Sequence, residues 1–162
     1  MKPVALVIAA LFSLAFTPLV AQDFEKGVAA YNSGDYSTAA REFTPLANQG
    51  DEVAQYNLGL MYYNGKGVPQ DYAEAARLYR LAADQGYAKA QNNLAVMYEM
   101  GHGLKQDNVM AHMWYNLASA NGSDKSAEWR DERAGLMTSA DVSKAQAMAR
   151  ECMSSGYLKC GY

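Results

Sequence analysis

The chain has 162 residues, enough for one domain with a real core or a short array of repeats. Half of the residues are hydrophobic, and Val, Ile and Thr become sparse after residue 22, which counts against a β-sheet. The formal charge is −3 and no block of like charge occurs, so the concentrated basic face of a nucleic-acid binder is missing and no such partner is expected.

The first residues are of a different material. Met1-Lys2 supplies a minimal positive start, Val4 to Phe16 is almost wholly apolar, and Thr17-Pro18 breaks the run before "LVAQD". This is the layout of a secretory signal peptide over residues 1–21, with cleavage expected after Ala21. An uncleaved anchor is the alternative, but Val4–Val20 contains Ser13, Thr17 and Pro18 and is marginal for a bilayer span. After cleavage no membrane segment is expected, and the destination is the periplasm or the exterior.

Residues 22–122 read as an array of units at about 22–49, 50–85 and 86–121. Gly50–Gln85 aligned on Gly86–Asn121 gives fifteen identities in thirty-six positions without a gap, among them Ala54/Ala90, Leu58/Leu94, Met61/Met97, Tyr79/Tyr115 and Ala82/Ala118. Gly34–Gly50 falls in the same register, while Phe24–Ser33 matches only if the intervening loop is four residues shorter. Each unit predicts two helices. In the second unit, Glu52–Tyr63 carries Ala54, Leu58, Met61 and Tyr62 at helical spacing, and Tyr62 is expected in the core. Gly59, or Ala95 in the next unit, leaves room for a close helix approach.

The loop "NGKGVPQD" (Asn64–Asp71) returns as "MGHGLKQD" (Met100–Asp107), with Lys66 replaced by His102. It lacks the spacing and the Ser/Thr of a nucleotide P-loop, and duplication points to geometry rather than chemistry. Gly65 is expected to end its helix with positive φ. Val68 or Leu104 then tucks under the turn, and Asp71 with Glu74 forms a capping box for a helix whose buried stripe is Ala75, Tyr79, Ala82 and Ala83.

Residues 123–162 read as a helical cap. Trp129, Arg133, Leu136 and Met137 suggest its first helix, and "TSAD" (Thr138–Asp141) opens a second with Val142, Ala145, Ala149 and Cys152 on one face. Cys152 and Cys160, eight residues apart, read as a disulfide closing the tail; a metal site would want further ligands, and His102 and His112 are distant. No metal or cofactor is expected.

"AQYNLGLMYYNGKGVPQDYAEAARLYRLAADQG" (Ala54–Gly86) resembles a Sel1-like repeat, and Ala90–Gly122 is a second copy departing at Ala95 and Leu104. The leading unit, with its short "NSGDY" turn, is closer to a tetratricopeptide repeat. The resemblance implies an all-α fold, a right-handed α-solenoid of stacked antiparallel helix pairs whose inner surface is lined by the first helix of each unit. Those helices carry a second stripe: Phe24, Val28 and Tyr31, then Tyr56, Leu60 and Tyr63 with Asn64, then Asn92, Val96 and Glu99 with Met100. It is the candidate protein-binding groove, since tyrosine offers contact area at low entropy cost together with a hydroxyl. Tyr63 aligns with Glu99, so that position is expected to stay partly accessible, because an unpaired buried carboxylate is costly.

Together with the expected signal peptide, the resemblance implies an exported bacterial adaptor or scaffold that binds another protein or peptide segment in the cell envelope. With no nucleophile beside a base and no paired carboxylates in a defined pocket, an enzyme is not expected. The alternative is a β-lactam-binding or hydrolysing enzyme like the cysteine-rich branch of the family. That branch has a disulfide in each repeat, which is missing here, and no Ser-x-x-Lys motif occurs.

Overall fold

The computed structural model describes residues 17–160, so the N-terminal part of the expected signal peptide lies outside the described residues. Eight helices follow in order among the described residues: α1 (Thr17–Ser33), α2 (Tyr36–Asn48), α3 (Glu52–Asn64), α4 (Tyr72–Ala83), α5 (Ala88–Met100), α6 (Asn108–Ala120), α7 (Asp124–Ala134) and α8 (Ser139–Ser154). No strand occurs among them. Each helix from α1 to α7 packs on the next, which makes an all-α solenoid of helix pairs; α8 breaks the sequence by returning to α6.

Small side chains let the pairs close. Ala39, Ala54, Ala75, Ala82, Ala90, Ala111 and Ala118 are fully buried, and single bulky groups fill the remaining space: Phe43, Tyr79 and Trp114 with Tyr115. Gly59 sits against the Tyr79 ring, where an added Cβ would come within 2.8 Å of the ring, and Gly27 meets Phe43 at the same distance. The close approach expected at Gly59 is therefore made by the aromatic of the partner helix. The buried stripe expected for α4 (Ala75, Tyr79, Ala82, Ala83) is in place, with Ala76 and Leu78 added to it.

Gly65 and Gly101 end α3 and α5 in the left-handed region (φ 66° and 70°), as the duplicated loop suggests. The second glycine of each loop has a different reason. Gly67 and Gly103 lie so close to the carbonyls of Tyr36 and Tyr72 that a Cβ would come within 2.4 Å of them or less. The loop thus presses on the start of the preceding unit's second helix. Asp71 caps α4 through the Ala73 and Glu74 amides, but the capping box is only half made: Glu74 instead takes Arg77 in a two-pronged pair. Val68 and Leu104 are half-buried.

A buried amide joins consecutive units. Gln55 and Gln91, 3 % and 0 % exposed, donate to the carbonyls of Ala47 and Ala83 at the ends of α2 and α4. Satisfied in this way, each ties the first helix of one unit to the last turn of the unit before.

The cap differs in part from expectation. α7 ends at Ala134, so Leu136 and Met137 fall beyond it, and Leu136 is 70 % exposed. In α8 the expected face is present, with Ala145, Ala149 and Cys152 buried and Val142 half-buried. Cys152 and Cys160 are disulfide-bonded, with Cα atoms 4.5 Å apart. The closed tail sets the Tyr157 ring against Gly86 and its hydroxyl on Asn121.

Candidate functional site

The residue between the two loop glycines is inserted into the unit before it. Lys66 places its ammonium over the rings of Tyr31 (5.4 Å) and Tyr36 (4.9 Å), and these phenols hold its pKa above the ordinary lysine value. His102 occupies the equivalent slot one unit later. It stacks on Tyr72 with centroids 4.7 Å apart and an interplanar angle of 14°, while Nδ1 is 3.0 Å from the Tyr63 hydroxyl. At the third position the tyrosine is replaced by Glu99, and the insert comes from α7: Arg133 pairs with its carboxylate. In each case the end of a first helix receives a basic or imidazole group from the next unit. The duplicated loops are structural clasps.

Glu99 also accepts a hydrogen bond from the buried Tyr115 hydroxyl at 2.8 Å, and burial beside this carboxylate pushes the phenol pKa well up. The equivalence of Tyr63 with Glu99 therefore does not rest on exposure alone. Both are half-buried, and Glu99 is tolerated because the cap supplies Arg133. Tyr62, expected in the core, is likewise only half-buried; it packs against both halves of the core, whereas its counterpart Tyr98 is 8 % exposed.

The candidate groove residues lie along one face of α1, α3 and α5, half-buried except for the exposed Asn64 and Met100. The four aromatic ones are held by ring contacts. Phe24 meets Phe43 at 5.7 Å, and Tyr31 meets Tyr36 at 5.1 Å. Tyr56 meets Tyr87 at 5.3 Å, and Tyr63 meets Tyr72 at 5.0 Å. Burial, and then the neighbouring Tyr87 and Tyr72 respectively, raises the pKa of Tyr56 and Tyr63. These phenols stay neutral donors at any physiological pH.

Leu60, Tyr63, Asn64, Tyr79, Asn93 and Val96 line a cleft of about 230 Å³ between α3 and α5. A second, of about 260 Å³, lies between α5 and α7 and is lined by Val96, Glu99, Met100, Tyr115, Trp129, Glu132 and Arg133. Val96 belongs to both. Asn92 is pinned to α7 by the buried Ser126 hydroxyl, which donates to Asn92 Oδ1 at 2.7 Å. Phe24, Val28 and Tyr31 line neither cleft.

Sequence reasoning missed Trp129 and Asn93. The sequence marks Trp129 only as part of the cap's first helix; it is 38 % exposed, 5.9 Å from the Tyr115 ring, and lines the second cleft. Asn93 lines the first cleft together with Tyr79 and Val96. The identity Asn57/Asn93 across the two units was the available signal. No group of three or more His, Cys, Asp or Glu stands together among the described residues, and no helix there is long and apolar enough to cross a membrane.

Comparisons agree with this geometry. The Sel1 repeat family matches at residues 53–87 and 88–123. A protective antigen of uropathogenic Escherichia coli strains displaying an SLR fold superposes with a TM-score of 0.80 at 27 % identity over 85 % of this chain; the chain spans 31 % of that antigen's length. A Sel1 repeat protein from Oxalobacter formigenes superposes with a TM-score of 0.64 at 32 % identity, over 70 % of this chain and 88 % of that one. No curated protein matches. The two ungapped repeats, the clasped loops and these relatives place the chain in the Sel1 repeat family.

Proposed function

We propose that this chain is an exported adaptor or scaffold that binds a segment of another protein along the face formed by α1, α3 and α5, in the periplasm or outside the cell. The observation that carries the reading is the pair of clefts joined at Val96, the first lined by aromatic, amide and aliphatic groups and the second also by Glu99, Glu132 and Arg133. Rings held by neighbouring rings and hydrogen bonds lose little entropy when a partner docks, which is what a binding surface needs. Sel1 repeats generally serve protein interaction, which supports the same reading. Export is supported by the apolar run Val4–Phe16 and by the Cys152–Cys160 disulfide, a bond that persists in oxidising compartments.

The test uses a photoreactive residue placed in the full chain at Asn64, Met100 or Trp129, expressed in the native cell. Discrete adducts with one partner from these positions, and none from Arg41 or Lys144 on other exposed surfaces, are expected. Adducts only from the outer positions would move the binding face elsewhere. Intact mass of the exported protein should begin at Gln22; retention of residues 1–21 would establish an anchor instead.

A further inference from the structure

The groove is not uniform in charge. Beside the two clefts lies a third, of about 140 Å³, lined by Tyr56, Lys89, Asn92, Asn93, Ser123, Lys125 and Trp129. Two lysines line it and no acid does. Neither lysine is ion-paired among the described residues, and both are exposed. Each opens a first helix, Lys89 in α5 and Lys125 in α7, and the aligned residue in α3 is Val53. The tripeptide Asp51-Glu52-Val53 becomes Tyr87-Ala88-Lys89 and then Ser123-Asp124-Lys125, formal charges of −2, +1 and 0. In a chain of net charge −3 the lining of this cleft thus carries two lysines and no acid, against an indole and a phenol.

The neighbouring clefts give direction to it. The α3–α5 cleft shares Asn93 with the lysine cleft and has no charged group in its lining. The α5–α7 cleft shares Trp129 and has two acids of its own, Glu99, taken by Arg133 and Tyr115, and Glu132, so an acidic ligand group is directed away from it and toward the lysines. A carboxylate is thus wanted near Lys89 and Lys125, and a bulky apolar group fits beside it between Leu60, Tyr63 and Val96.

We propose that the groove recognises an internal, extended segment of a partner protein bearing an Asp or Glu side chain a few residues from a large aliphatic or aromatic one. This rests on the protein-binding reading above and adds the chemistry of the ligand. Charge complementarity of this kind sets encounter rate and register and is screened by salt.

The experiment is a selection from a random peptide library displayed with both ends fused, so that no free terminal carboxylate is offered. It is run on the wild-type full chain, on K89Q/K125Q and on W129A, with thermal melts confirming that each is folded. Expected are enriched sequences combining Asp or Glu with Phe, Tyr, Trp, Leu or Ile. A soluble enriched peptide should lose at least tenfold in affinity on K89Q/K125Q and several-fold between 50 and 500 mM salt (roughly a threefold change in Debye length). Replacing its acid by the amide should reproduce the loss on wild type and have little effect on the double variant. Neutral or basic peptides that lose affinity on W129A but not on K89Q/K125Q would overturn the acidic-ligand proposal while keeping the groove. Binding insensitive to all three substitutions, or no enrichment, would overturn both. A concentration-dependent dimer lost in the same variants would put a second copy of the chain in the groove and overturn the proposal.

Discussion

α4 and α6 are the same helix in two consecutive repeats, and their differences show where the array stops. In α4, Glu74, Arg77 and Leu81 face outward; Arg77 pairs with Glu74 at 2.6 Å, and Leu81 is 39 % exposed. The aligned residues in α6 are Met110, Met113 and Leu117, at 7 %, 0 % and 0 % exposure. The same leucine is thus solvated in one unit and buried in the next. The reason is α8, which returns to pack on α6 and leaves α4 uncovered. A repeat's inner positions define the fold, and its outer positions record whether anything lies on top.

The largest effect should come from exchanging these outer residues. Met113→Arg would bury a guanidinium beneath α8 with no carboxylate partner, and should cost about 3–5 kcal/mol. The reciprocal Arg77→Met should stay within about 0.5 kcal/mol, since it touches only an exposed ion pair. Chemical denaturation reads both. Equal effects would mean that α8 does not cover α6 in solution.

The glycines of the clasp come next. Both positions have positive φ, but Gly103→Val adds a Cβ against the Tyr72 carbonyl, whereas at Gly101 the nearest atom is Gln106 Cβ at an ordinary contact distance of 3.4 Å. About 2–4 kcal/mol is expected for the first and about 1 kcal/mol for the second. The same order should hold for Gly67 and Gly65. Thermal melts with the order reversed would show that the loop does not press on the preceding unit.

Removing the disulfide with Cys152→Ser and Cys160→Ser should cost about 2–3 kcal/mol by the loop-closure argument for a short ring. Because the tail secures α8 over α6, Met113→Arg should cost less in that background than in wild type. Strict additivity would show that the tail does not hold α8 in place.

The smallest effect is a pH dependence that α6 has and α4 lacks. His112, aligned with Ala76, is 1 % exposed, and no partner is found for its Nδ1 among the described residues. Burial first, and then Arg130, lowers its pKa from 6.5, with Asp131 opposing. The unfolded chain therefore binds this proton more readily, and stability falls as pH drops below about 6.5. Unfolding free energies at pH 7.5 and 5.5 should differ less in His112→Ala, which restores the α4 residue. An unchanged difference would assign the dependence to other groups.

How much of this was legible follows from the range of each interaction. The helix pairs, the buried alanines, the positive φ of Gly65 and the Cys152–Cys160 pairing depend on residues close in sequence or on a pattern stated twice. Those could be read from the residues alone. The capping box at Asp71 failed because Glu74 had a competing partner one turn away in Arg77, a choice that local sequence leaves open. Tyr62 was misjudged because its burial depends on how two parts of the core meet.

By itself, then, the sequence determined the repeat, its helix ends and the family, since helix periodicity, glycine conformation and caps are local properties. The tertiary structure decided what the local code leaves undefined. It put Lys66 and His102 into aromatic slots of the preceding unit, gave Glu99 its Arg133 from the cap, and set Trp129 of the cap in the wall of the second cleft. These residues are brought together only by stacking one unit on the next, so the partners of His102 and Arg133 lie as far as 39 and 34 positions away and no local spacing rule announces them.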